Sequence, residues 1–135
     1  MSIKKQKLST TFSPATPDEP FSHLVEDCPD CLKVLDLDGR LQSMNAGGMR
    51  VLEICDLAPL KNSYWPDFWS GEDKQMALAA IAAAKAGRVG RFIGYFETTQ
   101  TKTPKWWDVV ISPIFDESGR PEKLLASSRD ITQWK

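Results

Sequence analysis

Residues 31–45 read CLKVLDLDGRLQSMN. The run Leu32–Leu37 is rich in apolar groups, and Asp38-Gly39 is a hairpin-turn pair because glycine takes positive φ freely. Arg40–Met44 supplies the return strand. Two strands therefore pair before any long helix appears, and that order governs how the rest of the chain is read. Asn45 follows as a helix N-cap, a side-chain acceptor worth about 1 kcal/mol relative to Ala. Met44 and Met49 stand at staple positions around it, and the helix would carry Val51, Leu52 and Cys55. Gly47 and Gly48 weaken its first turn.

Working outward toward the C-terminus, residues 56–70 are aromatic and broken by proline (Tyr64, Trp65, Pro66, Phe68, Trp69), which predicts short helical turns. Ser70 and Asp73 have capping-box spacing, and a helix from Glu72 to Ala86 follows. Its Ala77, Ala80, Ile81 and Ala84 share one face, and Gly87 is a natural stop. After Gly87 the period changes. Arg88–Thr98, Lys105–Phe115 and Lys123–Ile131 read as strands, separated by turns at Thr99–Pro104 and Asp116–Pro121. Toward the N-terminus, residues 1–15 are too poor in apolar groups to offset ordering entropy and read as a mobile tail. Thr16, Pro17 and Glu19 mark a helix start, and Phe21, Leu24 and Val25 give that helix, at 17–27, a short apolar stripe stopped by Pro29. The order is helix, two strands, several helices, three strands. It predicts one α+β domain over 16–132, an antiparallel sheet with helices on one face, with 133–135 beginning a linker or signalling helix.

Composition bounds the function. A net charge of −1, with no basic cluster beyond Lys4–Lys7, argues against nucleic acid, which demands a concentrated positive face. No apolar run approaches the ~20 residues of a transmembrane helix, and no apolar stretch follows the N-terminal lysines as a secretory signal requires. Three cysteines fit a reducing compartment, so a cytoplasmic location is expected.

The element order and the residues that punctuate it resemble the PAS sensor domain family. The matching pieces are Val34–Leu41 (VLDLDGRL), Asn45, Trp106–Ile114 (WWDVVISPI), Gly119 and Arg129–Thr132 (RDIT), together spanning roughly residues 20–132. The resemblance implies a five-stranded antiparallel sheet of order 2-1-5-4-3 with a helical layer forming a pocket over one face. It also implies a sensory role, most often in bacterial histidine kinases, in which a small ligand or a partner acts on a covalently linked effector domain. Pocket candidates on this basis are Val34, Trp69, Phe92, Phe96, Trp107 and Val109. Candidates for signal relay are Arg129, Asp130, Ile131 and Thr132, where Asp130 or Thr132 can cap a following turn. The light-sensing flavin branch carries its reactive cysteine in Asn-Cys-Arg-Phe-Leu-Gln, whereas Cys55 lies in Glu-Ile-Cys-Asp-Leu. The haem branch places an axial histidine on the long helix, whereas the one histidine is His23. Neither flavin-adduct chemistry nor His-ligated haem is expected.

Cys28-Pro29-Asp30-Cys31 has the spacing of a redox dithiol, but it follows a helix and precedes a strand, the reverse of the order that activates a thiolate. A zinc set of His23, Cys28, Cys31 and Cys55 has enough ligands but no recognised spacing, so the motif reads as a structural turn and no metal is expected. Asp36, Asp38, Asp116 and Glu117 sit at hairpin turns, which explains them without catalysis. No Ser/His/Asp set can be assembled, and no nucleotide loop or phosphoacceptor box is present, so the chain reads as non-catalytic. Along the third and fourth strands both faces are apolar: Phe92 and Phe96 alternate with Ile93 and Tyr95, and Trp107, Val109 and Ile111 alternate with Trp106 and Val110. A sheet with one wet face would alternate with polar residues. The second face therefore predicts a homodimer through Trp106 and Val110 together with Phe21, Leu24 and Val25. Two other readings are a small α+β enzyme or binder of the steroid-isomerase type, disfavoured because strands precede the longest helix, and a purely oligomerising module.

Overall fold

The computed structural model describes residues 28–135. Five strands form one antiparallel sheet: β1 (Cys31–Leu35), β2 (Leu41–Met44), β3 (Gly90–Glu97), β4 (Pro104–Phe115) and β5 (Pro121–Asp130), in the order β2-β1-β5-β4-β3. Two α-helices, α1 (Ala46–Val51) and α2 (Gly71–Lys85), and the 3₁₀ turns Ala58–Leu60 and Trp65–Phe68 make up the helical segments between β2 and β3. The tail at 1–15 and the helix expected at 17–27, including Phe21, His23, Leu24 and Val25, lie outside the described residues.

Two of the hairpin turns, β1–β2 and β4–β5, share one chemistry. Asp36 Oδ1 accepts from the backbone N–H groups of Asp38 and Arg40, both at 2.9 Å. Asp116 Oδ1 accepts from the N–H groups of Ser118 at 2.8 Å and Arg120 at 3.0 Å. In each turn the fourth residue is a glycine with positive φ, Gly39 at 88° and Gly119 at 87°. The aspartate that opens each turn thus organises it, and neither Asp38 nor Glu117 has that role.

Both sheet edges are blunted, as exposed edges otherwise pair with other chains. On the β2 side the segment 62–65 is stitched on by Leu41 N–H to Ser63 O at 2.9 Å and Asn62 N–H to Leu41 O at 2.7 Å. On the β3 side the Asp73 carboxylate accepts the Tyr95 N–H at 3.0 Å. This corrects the expected capping box. Ser70 occupies the N-cap position without a side-chain bond, because Asp73 reaches out to the edge strand instead of back to the helix. A second correction concerns α1, which ends at Val51 with Leu52 as its cap. Glu53 then takes φ of 57° and turns the chain away, so Cys55 lies beyond the helix and is exposed.

Ala77, Ala80, Ile81 and Ala84 are the buried face of α2, as the spacing predicts. Small residues let the helix lie directly on β3: a Cβ added at Gly90 would stand 2.5 Å from Ala80 Cα. Backbone cannot retreat as a flexible side chain can, so overpacking is costly here. Gly90→Ala is therefore expected to destabilise the domain by about 1–3 kcal/mol, read as a lower urea midpoint with an unchanged slope.

Candidate functional site

Alternation along β3, β4 and β5 points one set of side chains toward the helices. Trp69, Phe92, Phe96, Trp107 and Val109 meet there, joined by Trp65 and Phe68. Trp69 lies edge-on to Phe92 at 5.1 Å and to Phe96 at 4.9 Å, and Phe96 stacks on Trp107 at 5.4 Å. Gly94 makes the room, because a Cβ there would meet Trp69 Cζ3 at 2.7 Å. The indole N–H groups of Trp69 and Trp107 are both buried and meet no acceptor. Unpaired buried donors are expensive, so these two N–H groups are a cost carried within the aromatic cluster.

Val34 does not belong to this set. The register places Lys33 opposite Met44 and Ala126, and Leu35 opposite Leu41 and Leu124, so Cys31, Lys33 and Leu35 face the core. Val34, paired with Ser43 and Leu125, is buried on the other face of the sheet. The period of two puts a lysine inward where the apolar run suggested a valine.

That other face carries Ile93 and Tyr95, 46% and 37% exposed, beside Trp106 and Val110. Tyr95 and Trp106 pack at 5.4 Å, and Arg91 grips Asp108 through two hydrogen bonds of 3.0 and 2.7 Å. Lys135 Nζ stands 4.7 Å over the Trp106 ring.

At the C-terminal end, Asp130 Oδ1 accepts from the Thr132 N–H at 2.9 Å and hydroxyl at 2.6 Å. Ile131 N–H bonds Trp106 O at 2.9 Å, and Trp106 N–H bonds Thr132 Oγ1 at 3.1 Å. Residues Thr132–Trp134 form a 3₁₀ turn. Arg129 pairs with Asp30 at 3.4 Å. Lys105, unremarked in the sequence, ties this end to the helical layer. Its ammonium donates to Val51 O at the end of α1 at 2.7 Å and stands 3.5 Å from Glu53 and 3.3 Å from Asp130. Nothing in its local sequence marks it, since a lysine opening a strand reads as a solvent charge. Hydrogen bonds from Thr101 and then Thr103, with the Lys105 charge, hold Glu53 below the usual carboxylate range. Partial burial pushes Asp130 upward, but the Thr132 hydrogen bonds and Lys105 outweigh it and its carboxyl is also held low.

Among the described residues no group of three or more His, Cys, Asp or Glu could hold a metal ion. Cys31 is buried, Cys28 half-buried and Cys55 exposed.

The family model described as PAS fold matches residues 25–135. The chain belongs to the PAS family. No curated protein matches it. Among solved structures it is similar to an RNA-binding light-oxygen-voltage receptor, with TM-score 0.73 and 16% identity over 90% of this chain. The PAS domain covers only 35% of that receptor's length. It is also similar to the PAS domain of a protein from Colwellia psychrerythraea, with TM-score 0.71 and 17% identity over 83% of this chain and 94% of the other. A third likeness is to the PAS domain of an HTR-like protein from Haloarcula marismortui, with TM-score 0.66 and 23% identity over 87% and 99%. The five-stranded order and the sensor-domain family expected from the sequence are both borne out.

The Lys105 cluster sets a pH dependence. Both carboxyls are depressed in the folded state, so their contribution is full above their ordinary values of 3.8 and 4.5 and is lost as pH falls through the lower folded values. The stability gap between wild type and Lys105→Met, measured by urea unfolding, should accordingly be largest near neutrality and shrink as the pH is lowered below about 4.

Proposed function

We propose that this PAS domain is the sensory input module of a signalling protein, a histidine kinase or a relative of one. In this reading it has no catalysis of its own and acts in the cytoplasm. The aromatic cluster under the sheet receives a small ligand with hydrogen-bond acceptors, and the response passes to an effector linked beyond Thr132. A ligand shifts such a system only by its different affinity for two states. The observation that carries the reading is the position of Lys105. One ammonium touches the end of α1, which packs on β1, and Asp130, which caps the chain's exit from the sheet, while standing 6.0 Å over the Trp107 ring of the cluster. Movement of the helical layer therefore changes the contacts at the exit. Two orphan indole donors inside the cluster favour an acceptor-bearing ligand over a wholly apolar one.

The apolar face on which exposed Ile93 and Tyr95 lie beside half-buried Trp106 and Val110 supports a homodimer as the working unit. Among the described residues no helix is long and apolar enough to cross a membrane. The steroid-isomerase-like alternative gains nothing from the cluster, where the named aromatic groups offer no acid–base pair. An oligomerising module would retain the dimer and lose the ligand.

In the parent protein, Asp130→Ala is expected to change effector output while the isolated domain keeps its circular dichroism spectrum. Unaltered output in a folded variant would refute transmission through this junction. Trp106→Glu or Val110→Glu should convert dimer to monomer in light scattering, since an unpaired charge is costly to bury. A wild-type chain that is monomeric at high concentration would remove the dimer.

A further inference from the structure

Lys33 lies at the centre of β1 with its side chain on the core face. It is 1% exposed, and Cys31, two residues before it on the same face, is 0% exposed. The Lys33 amine donates to Cys31 Sγ at 3.0 Å, and no ion pair reaches it among the described residues. Sulfur is a weak acceptor, and lysines are almost never fully buried without a strong partner. A buried amine held against a buried thiol is thus an expensive arrangement that packing alone does not require. An apolar side chain of similar length would fill the same space at lower cost.

We propose that Cys31 and Lys33 are an oxidative cross-linking site whose co-substrate is a hydroperoxide. Written for the neutral groups, the Cys31 sulfur attacks one peroxide oxygen. The O–O bond breaks, the thiol becomes a sulfenic acid, and one water leaves from hydrogen peroxide, or one alcohol from an alkyl hydroperoxide. The Lys33 nitrogen lone pair then attacks Sγ, and the S–O bond breaks. The departing hydroxide takes a proton from nitrogen as a second water, leaving a Sγ–Nζ sulfenamide. Sulfur is oxidised by two electrons, the peroxide is reduced by two, and the chain loses two hydrogens. Sulfenic acids are known to condense with nitrogen in this way. The amine already stands at 3.0 Å, so it intercepts the sulfenic acid ahead of a second peroxide.

Cys31 is the first residue of β1. The segment before it is held by Asn45 Nδ2, which donates to Cys28 O at 3.4 Å and Asp30 O at 3.1 Å. Local opening at this strand end admits peroxide without undoing the sheet. The bond would also be felt by α1. A Cβ at Gly48 would stand 2.8 Å from Cys31 Sγ, so the helix rests on the sulfur without slack. The inference stands on the geometry of the pair and is independent of the sensory reading.

The test uses the full chain treated with hydrogen peroxide, then denatured, alkylated and analysed by intact mass and tryptic mapping. The expected product is about 2 Da lighter than the reduced chain, two hydrogens having gone. Two of its three cysteines still alkylate. Trypsin no longer cuts after Lys33, and dithiothreitol restores both the mass and the cut. Cys28→Ser should retain the product and Lys33→Met should lose it. A disulfide between Cys28 and Cys31, seen as a single alkylated cysteine, would overturn the proposal. So would an intact tryptic cut after Lys33 at every peroxide dose. Should Lys33→Met fail to fold, the wild-type map alone decides, because it reads the Sγ–Nζ bond directly.

Discussion

Asn45 is a buried amide that holds three pieces of chain in register. Its Oδ1 accepts from the N–H of Gly48 in α1 and the N–H of Leu32 in β1, each at 2.9 Å. Its Nδ2 reaches the carbonyls of Cys28 and Asp30. A single side chain thus fixes where α1 starts, how it is oriented on β1 and how the chain enters the sheet. The geometry admits no methyl groups nearby. A Cβ at Gly47 would fall 1.8 Å from Cys28 O, and one at Gly48 would crowd Cys31, Met44 and Asn45 itself. The paired glycines cost helix propensity, and the close approach they permit is what lets the amide bond on all sides.

From that anchor a series of polar contacts runs along the helical layer. The last carbonyl of α1, at Val51, is bound by Lys105. Glu53 docks on the β3–β4 turn by accepting from the hydroxyls of Thr101 and Thr103. Gln100 bonds Cys55 N–H at 3.0 Å and Asp56 O at 3.0 Å, bolting the segment after α1 to the same turn. Lys105 also stands 3.3 Å from Asp130 and 6.0 Å over the Trp107 ring, so it adjoins the aromatic cluster as well as this layer. The arrangement suits a sensor because one contiguous set of polar contacts joins the core's cover to the chain's exit, and those contacts are charged and partly wet. Such contacts rearrange more readily than a packed core.

Much of the fold was legible in the chain. The Asp-Gly turn, the alanine stripe of α2 and the β-rich run after Gly87 each follow from local backbone and side-chain preferences, which act over a few residues and survive in any context. The same holds for Asn45 as a cap and for the pairs Phe92 with Phe96 and Trp107 with Val109, which alternation puts on one face of their own strands. Ser70 was less legible. Whether Asp73 bonds back to its own helix or out to Tyr95 depends on an edge strand 22 residues away. The end of α1 was misread for a related reason, since the positive φ at Glu53 is sustained by threonines from the β3–β4 turn.

The sequence by itself determined the order of the elements from residue 31 onward and the sheet-and-helix class, because periodicity and turn chemistry are properties of neighbouring residues, and its motifs carried the resemblance that the family match bears out. Only the tertiary structure decided which face of β1 is inside. A one-residue difference in register exchanges Val34 for Lys33, and register is set by the partners β2 and β5 rather than by β1. It likewise decided that Lys105 stands between α1 and Asp130 and that a lysine and a cysteine share the dry face of the sheet. These are meetings of charged or reactive groups brought together by folding. Hydrophobic pattern carries no trace of them, since a lysine in a strand has the same local signature whether it points to water or to a thiol.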